Sequence, residues 1–416
     1  MPTTMHPSRR RLINFIPFVV IGGGASGLAA CLAAGRRGIP TLLIEKNDRL
    51  GRKILATGGG RCNIMNSGPP AYFGDSDFAY RALAACPAGR LNDYFSSIGL
   101  CLKEEGYGRM YPATGRADSV LEAFETAIES LPVTVETDKR LTALSPLSGG
   151  GFELTFQDGS QVLAKNVLLA GGGPASPQLG GCDDMAAIAS SLGFIVTDRL
   201  PALCALETNR RPIRGLDGLR LPAKLTLLSN GKPVDCAQGE ALFSKTGLSG
   251  VCAMQLAGRA AIGLENKEDM QVSLDFSVLL GVGDGRMERK EPKAPDINQK
   301  ATLDKLQERR HHLGDKNVLV GAVPQKLAKK LATQTLPELA RNLCDWRLNL
   351  TGVRGMRHAQ VSQGGVKTDT IDPATMQTSI SGLYMAGEML NVDGDTGGHN
   401  LMFAFACGFL AGEHVK

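Results

Sequence analysis

The chain has 416 residues, more than one hydrophobic core normally supports, so two or three structural units are expected. Its 43% hydrophobic content, with 51 glycines and 21 prolines, describes a compact α/β protein and excludes a disordered one; the net charge of +5 by itself implies no polyanionic partner. Ten cysteines without a CxxC pair exclude a disulfide framework and a metal site of the zinc type, and point to a reducing, cytoplasmic compartment.

Residues 1–16 carry Arg9, Arg10 and Arg11 ahead of an apolar run, which superficially resembles a signal peptide. The run is instead the first strand of a nucleotide fold, broken by Gly22, Gly23 and Gly24, so the leader is expected to be a disordered extension. No other apolar run reaches the roughly 20 residues of a membrane span, and none is expected.

From Phe18 to Glu45, FVVIGGGASGLAACLAAGRRGIPTLLIE reads as strand, glycine turn, helix and second strand. Gly22 permits the tight turn, Gly24 lets a pyrophosphate approach the backbone, and Gly27 lets the helix pack on the sheet. Ala25 and Ser26 open that helix, whose N-terminal N–H groups point at phosphate. Glu45, followed by Lys46, ends the second strand where a carboxylate accepts hydrogen bonds from an adenosine ribose. The pattern predicts a dinucleotide site.

The next stretch sets Arg49, Arg52, Lys53 and Arg61 around Gly58, Gly59 and Gly60. Basic groups beside exposed backbone N–H groups suit phosphate and an electron-rich ring. GRKILATGGGRCNIMN resembles the signature of the BaiN and YhiN-type family of NAD(P)/FAD-dependent oxidoreductases. The resemblance implies FAD, with Arg52, Lys53, Gly60, Arg61, Cys62 and Asn63 among its contacts. Cys62 is read as a packed or ring-facing thiol, with a lowered pKa and a reactive role as the alternative.

Tyr107 to Phe124 continues the resemblance, with a helix from Ala117 burying Val120, Leu121 and Phe124. Strands follow near Val133–Thr137 and Phe152–Phe156, joined through SPLSGGG. The strand Asn166–Ala170 then runs into Gly171, Gly172 and Gly173, a cluster that in the resembling flavoproteins lies against the FAD; Ala170, Gly171 and Gly172 take that role here. The family often continues with a serine- and glycine-rich loop, whereas this chain has Gly180, Gly181, Cys182, Asp183 and Asp184.

From about Pro201 the pattern shifts to short β segments with an Asn230-Gly231 hairpin signal. Ser244 and Thr246 are read as a turn and helix cap, with the border of a substrate cavity as the alternative. Residues 286–330 hold 12 Lys or Arg against 6 Asp or Glu, including Arg309, Arg310, Lys329 and Lys330 on helices. Such a run is usually a solvated helical face, and without interleaved aromatics it gives no expectation of a nucleic-acid partner.

The last stretch, Ser379 to Gly412, pairs a short strand ending at Gly387-Glu388 with a glycine loop and a helix from about Asn400. By resemblance Glu388 holds the ribityl chain. Gly397, Gly398, His399, Asn400 and Leu401 would bring the positive end of the last helix to a reduced flavin. His399 stands where the family commonly has tyrosine, and Asn391 where aspartate is common.

The expected fold is α/β: a Rossmann-like FAD/NAD(P)-binding domain at 17–200 and 351–416, an inserted β-rich domain at 201–285 and a basic helical segment at 286–350. No CxxxxC relay follows the second strand, and no second GxGxxG marks a nicotinamide domain, so NADH or NADPH would visit transiently. The resemblance implies hydride transfer through flavin N5 to an activated double bond of a small enone-like molecule. His399 and Tyr111 are the candidate proton donors. An oxygen-using amine oxidase and an FAD-containing RNA-binding or RNA-modifying protein are the alternatives.

Overall fold

The structure, a computed structural model, describes residues 15–282 and 298–416. Nearly all of the leader, the last three residues of the expected inserted domain (283–285) and residues 286–297 of the basic segment lie outside the described residues. Contacts divide the chain into two units. One comprises Met1–Gly173, Leu179–Thr197 and Gly364–Lys416; the other comprises Pro174–Gln178 and Asp198–Gln363.

The first unit starts with β1 (Ile16–Ile21), α1 (Ala25–Arg36) and β2 (Thr41–Ile44). Every residue of β2 and the last four of β1 are buried, the continuous apolar pattern of a parallel strand covered on both faces. Next come α2 (Asp118–Glu129), β3 (Val133–Glu136), β4 (Leu141–Pro146), β5 (Phe152–Phe156) and β6 (Gln161–Leu169). The sheet runs β3-β2-β1-β6-β5-β4. The first four strands are parallel, and β5 and β4 continue antiparallel.

The α2 face expected from its spacing is in place: Val120, Leu121 and Phe124 are buried. The single connection expected through SPLSGGG is not. A strand, β4, stands between β3 and β5, burying only Leu141 and Leu144. Two apolar positions three apart carry no period-2 signal, which is why the pattern hid it.

The second unit is built on a closed six-stranded barrel. Its elements are β7 (Leu206–Thr208), α3 (Arg210–Ile213), β8 (Arg220–Ser229), β9 (Lys232–Phe243), β10 (Gly247–Ser249), α4 (Val251–Glu265), β11 (Met270–Asp275), α5 (Gln299–Leu313), α6 (Gln325–Leu331), α7 (Leu336–Cys344) and β12 (Trp346–Val353). The barrel order is β7-β10-β9-β8-β11-β12, closed by pairing of β12 with β7. Asn230 and Gly231, both at positive φ (49° and 77°), form the tight β8–β9 turn that the Asn-Gly pair requires. Arg309 and Arg310 lie on α5, and Lys329 and Lys330 on α6.

Ser244 and Thr246 do make a turn, with the Ser244 hydroxyl accepting from the Gly247 N–H at 3.2 Å. They do not cap a helix. The three residues of β10 intervene, and α4 begins after Gly250, which has no capping side chain.

The chain re-enters the first unit with β13 (Leu383–Met385), parallel to β6, and ends in α8 (His399–His414). A Cβ at Gly408 or Gly412 would collide with the Ser26 or Ala30 carbonyl, so the two glycines seat the α8 backbone directly on α1. Phe405 of α8 stacks on Phe124 of α2, with centroids 5.4 Å apart. No helix among the described residues is long and apolar enough to cross a membrane.

Candidate nucleotide and ring site

The first glycine turn is held from both sides. Gly22 N–H donates to the Ile44 carbonyl (2.8 Å), and Gly23 N–H donates to Glu45 Oε2 (2.8 Å). Glu45 is buried and its Oε1 accepts the Asn47 N–H at 2.9 Å. The carboxylate therefore ties the end of β2 to the turn, a role its position after the strand does not reveal. A Cβ on Gly27 would strike the Gly22 carbonyl, while one on Gly24 would meet nothing within 4 Å. Gly24 thus leaves open space at the start of α1, whose first-turn N–H groups face it as a site for phosphate.

The basic residues after β2 are mostly engaged by protein partners. Lys46 Nζ lies 2.5 Å from Cys182 Sγ, and Arg52 donates to Asn47 Oδ1 at 3.3 Å. Lys53 donates to Glu388 Oε2 at 2.9 Å and to the Gly173 carbonyl at 3.2 Å. That lysine gathers three predicted stretches: residues 52–63, the glycine cluster at 171–173 and the Gly387-Glu388 turn. Ala170 N–H is bound to the Ile21 carbonyl of β1 at 2.8 Å, which puts Gly171 and Gly172 beside the first turn.

Arg61 does not point to a free anion site. Its guanidinium pairs with Glu105 at 2.6 Å and covers the Tyr111 ring, 4.6 Å from the centroid. Gly60 lies in the turn before it, its N–H bound to the Thr57 carbonyl at 3.1 Å. Cys62 is fully buried, and burial pushes its thiol up to about 12, with a hydrogen bond from Thr57 opposing only in part. The alternative of a reactive thiolate is corrected: desolvation penalises the charged sulfur.

Around the start of α8, Asn63, Gly398 and His399 come together. A Cβ on Gly398 would lie 2.5 Å from the Met65 carbonyl and 2.8 Å from Asn63 Oδ1. Asn63 Oδ1 and His399 Nδ1 are both buried with no hydrogen-bond partner among the described residues. Met402 N–H makes the first intrahelical bond, to the Gly398 carbonyl, so the N–H groups of His399, Asn400 and Leu401 precede the ladder. The Asn400 side chain is spent on the loop, bridging the Gly394 carbonyl (2.7 Å) and N–H (2.8 Å). Burial holds His399 below the usual histidine pKa, with nearby Asp395 pulling the other way.

Two residues that support this corner carried no sequence assignment. The Tyr72 hydroxyl donates to the His399 carbonyl at 2.9 Å, and its ring meets the imidazole edge-on at 5.7 Å. Asn66 Nδ2 donates to the Gly397 carbonyl at 2.8 Å. Asn66 lies within the quoted GRCNIMN stretch, so a signal for it existed; Tyr72 had none. Asn391 donates to Asp75 Oδ1 at 2.8 Å, and Asp75 in turn accepts from the Thr368 N–H and hydroxyl.

Unpaired buried polar atoms are costly unless something fills their bonds. One orphaned acceptor and one orphaned imidazole nitrogen beside an uncapped helix start fit the polar edge of a bound ring, and the open Gly24 turn fits its diphosphate. The parallel sheet, glycine turn and buried acid define a Rossmann-class nucleotide-binding protein of mixed α/β fold.

The family described as HI0933-like protein Rossmann domain matches residues 16–414, and the chain belongs to it. Over 415 residues the chain is 34% identical to a 3-dehydro-bile acid delta(4,6)-reductase of Clostridium scindens, spanning 95% of this chain and 97% of the relative. It is 27% identical over 409 residues to a ribosomal RNA dihydrouridine synthase of Escherichia coli, again spanning 95% and 97%. A 3-ketosteroid delta1-dehydrogenase from Sterolibacterium denitrificans shares the fold, with a TM-score of 0.52 and 12% identity over 97% of this chain and 99% of that one. The chain stands among the FAD-dependent oxidoreductases of the Rossmann class. The absence of a nucleic-acid partner expected from the basic run finds no support beside a relative named for ribosomal RNA.

Proposed function

We propose that the protein is an FAD-dependent reductase of a carbon–carbon double bond conjugated to a carbonyl, with NADH or NADPH as transient donor. The observation that carries it is the corner of Asn63, Gly398 and His399, where buried polar atoms await a ring. The relatives' names supply the reaction class. A delta(4,6) double bond in a 3-dehydro bile acid and the C5–C6 bond of uracil are both conjugated to a carbonyl. Such a bond takes hydride at the carbon β to the carbonyl and a proton at the α carbon.

FAD, when bound, supplies the hydride chemistry. Gly24, Ala25, Ser26 and Gly27 would hold the diphosphate at the start of α1. Asn63, His399, Asn400 and Leu401 would hold the ring, and Lys53 and Glu388 would hold the ribityl chain. Burial lowers the His399 pKa and so favours the neutral imidazole, with one N–H and one lone pair, over the imidazolium. With Tyr111 it remains a proposed proton donor.

The test is anaerobic: FAD-loaded protein is mixed with NADH or NADPH and its visible absorbance followed, then a 3-oxo-4-ene steroid or a uridine-containing RNA is added. Bleaching by a nicotinamide nucleotide, with recovery on adding one of the two, is the expected result. Absence of bleaching with both nucleotides overturns the reading.

A further inference from the structure

We infer that the barrel unit carries a binding cleft for the phosphodiester backbone of RNA, formed by Arg210, Arg211, Arg214 and Lys245. These residues line a concavity of about 410 Å³ with Ile213, Gly215 and Asp217. All four cations are exposed. Among the described residues none of the four side chains has an ion-pair or hydrogen-bond partner.

Other exposed cations of this chain are of both kinds: Arg116, Arg140, Arg220 and Arg347 pair with carboxylates, whereas Arg49, Arg81 and Lys232 stand singly, and what sets the four apart is that they share one concave wall. Four like charges gathered in a concave wall repel one another and focus a positive potential, which an anionic ligand relieves.

The cluster is assembled by the fold. Pairing of β7 with β10 aligns Leu206 with Leu248 and Glu207 with Gly247, and Thr208 N–H donates to the Thr246 carbonyl at 3.0 Å. The turn carrying Lys245 is thereby fixed beside α3, which carries Arg210 and Arg211. The Ser244 hydroxyl locks that turn from within. From α6, Lys330 Nζ donates to the Arg214 carbonyl (3.1 Å) and Lys326 Nζ to the Asp217 carbonyl (2.7 Å), adding two ammonium groups at the rim.

Among the described residues that line the wall, Asp217 alone is a carboxylate. A single carboxylate or phosphate would engage two or three of these groups, whereas a run of phosphates engages them all. Arginine and lysine with no aromatic in the wall suit backbone rather than base recognition. The densest basic run in the chain is 286–330; the cleft lies instead on RRPIR and SKTG.

The inference rests on the reductase reading for what the RNA is for, with its uracil as the reducible base, and not for whether RNA binds. A fluorescein-labelled RNA hairpin with a uridine-rich loop is titrated with the FAD-loaded protein across a salt series. The double variant Arg211→Gln with Lys245→Gln is compared with Arg220→Gln, a paired cation of the same unit.

The double variant is expected to weaken binding about 10-fold and to lower the slope of log affinity against log salt by about 1.4, with Arg220→Gln unchanged. Bleaching by NADH or NADPH stays as in the parent protein. Unchanged RNA affinity in the double variant, or no binding by the parent, overturns the cleft. Competition by inorganic pyrophosphate at equal phosphate concentration overturns RNA in favour of a small phosphorylated ligand. RNA binding without nicotinamide bleaching sinks the reductase reading and leaves the cleft standing.

Discussion

Lys53 and Glu388, 335 positions apart, meet in an ion pair of 2.9 Å. The lysine ammonium also reaches the Gly173 carbonyl, so one side chain holds together three glycine-bearing stretches that the sequence shows only separately. Both partners are partly buried, and removing the lysine takes a charge-assisted hydrogen bond from Glu388.

Lys53→Met should therefore weaken FAD binding by roughly tenfold, about 1.4 kcal/mol. Titration of the apoprotein followed by flavin fluorescence reads this directly. An unchanged dissociation constant would mean that the pair braces the fold and not the cofactor.

The space around two helical glycines predicts opposite outcomes for their substitution. Gly412→Val forces carbon into the Ala30 carbonyl and should cost about 3 kcal/mol of stability. Gly89 sits in the helix Ala88–Ser97 with nothing within 4 Å of a new Cβ, so Gly89→Ala should stabilise by about 0.5–1 kcal/mol. Urea unfolding of the three proteins checks both signs.

His399 makes the apoprotein pH-sensitive in a definite direction. Its folded pKa is depressed, so the unfolded chain binds the proton more readily, and stability rises with pH through this window. The contribution is complete above the unfolded value of about 6.5 and is lost as pH falls below it. Denaturant midpoints at acidic and mildly alkaline pH should differ less in His399→Asn than in the parent. An equal pH dependence in the two proteins would remove His399 as the cause.

Thiol labelling separates the cysteines. All ten are free, and Cys101 is exposed, whereas Cys62 is buried with its thiol pushed up to about 12. Iodoacetamide at neutral pH should modify Cys101 promptly and leave Cys62 untouched until the protein unfolds, as located by peptide mass. Early modification of Cys62 would restore it as a reactive candidate.

What could be seen in advance was local. The strand, glycine turn and helix from Phe18 and the acid at Glu45 follow from residue spacing, since burial and turn sterics act within a few residues. The Asn230-Gly231 turn and the buried face of Val120, Leu121 and Phe124 were legible for the same reason. Glu45 was visible as an acid but not as the clasp on Gly23, and Lys53 was visible as a cation but not as the partner of Glu388.

The sequence by itself determined the glycine turn, the Rossmann class and the residue types at the ring site. Only the tertiary structure decided that Asn63 Oδ1 and His399 Nδ1 have no hydrogen-bond partner among the described residues, that burial raises the Cys62 thiol pKa, and that Lys245 joins Arg210 and Arg211. The physical reason is that hydrogen-bond satisfaction, desolvation and charge clustering depend on neighbours brought together by strand pairing and helix packing across tens to hundreds of residues, which no local period encodes.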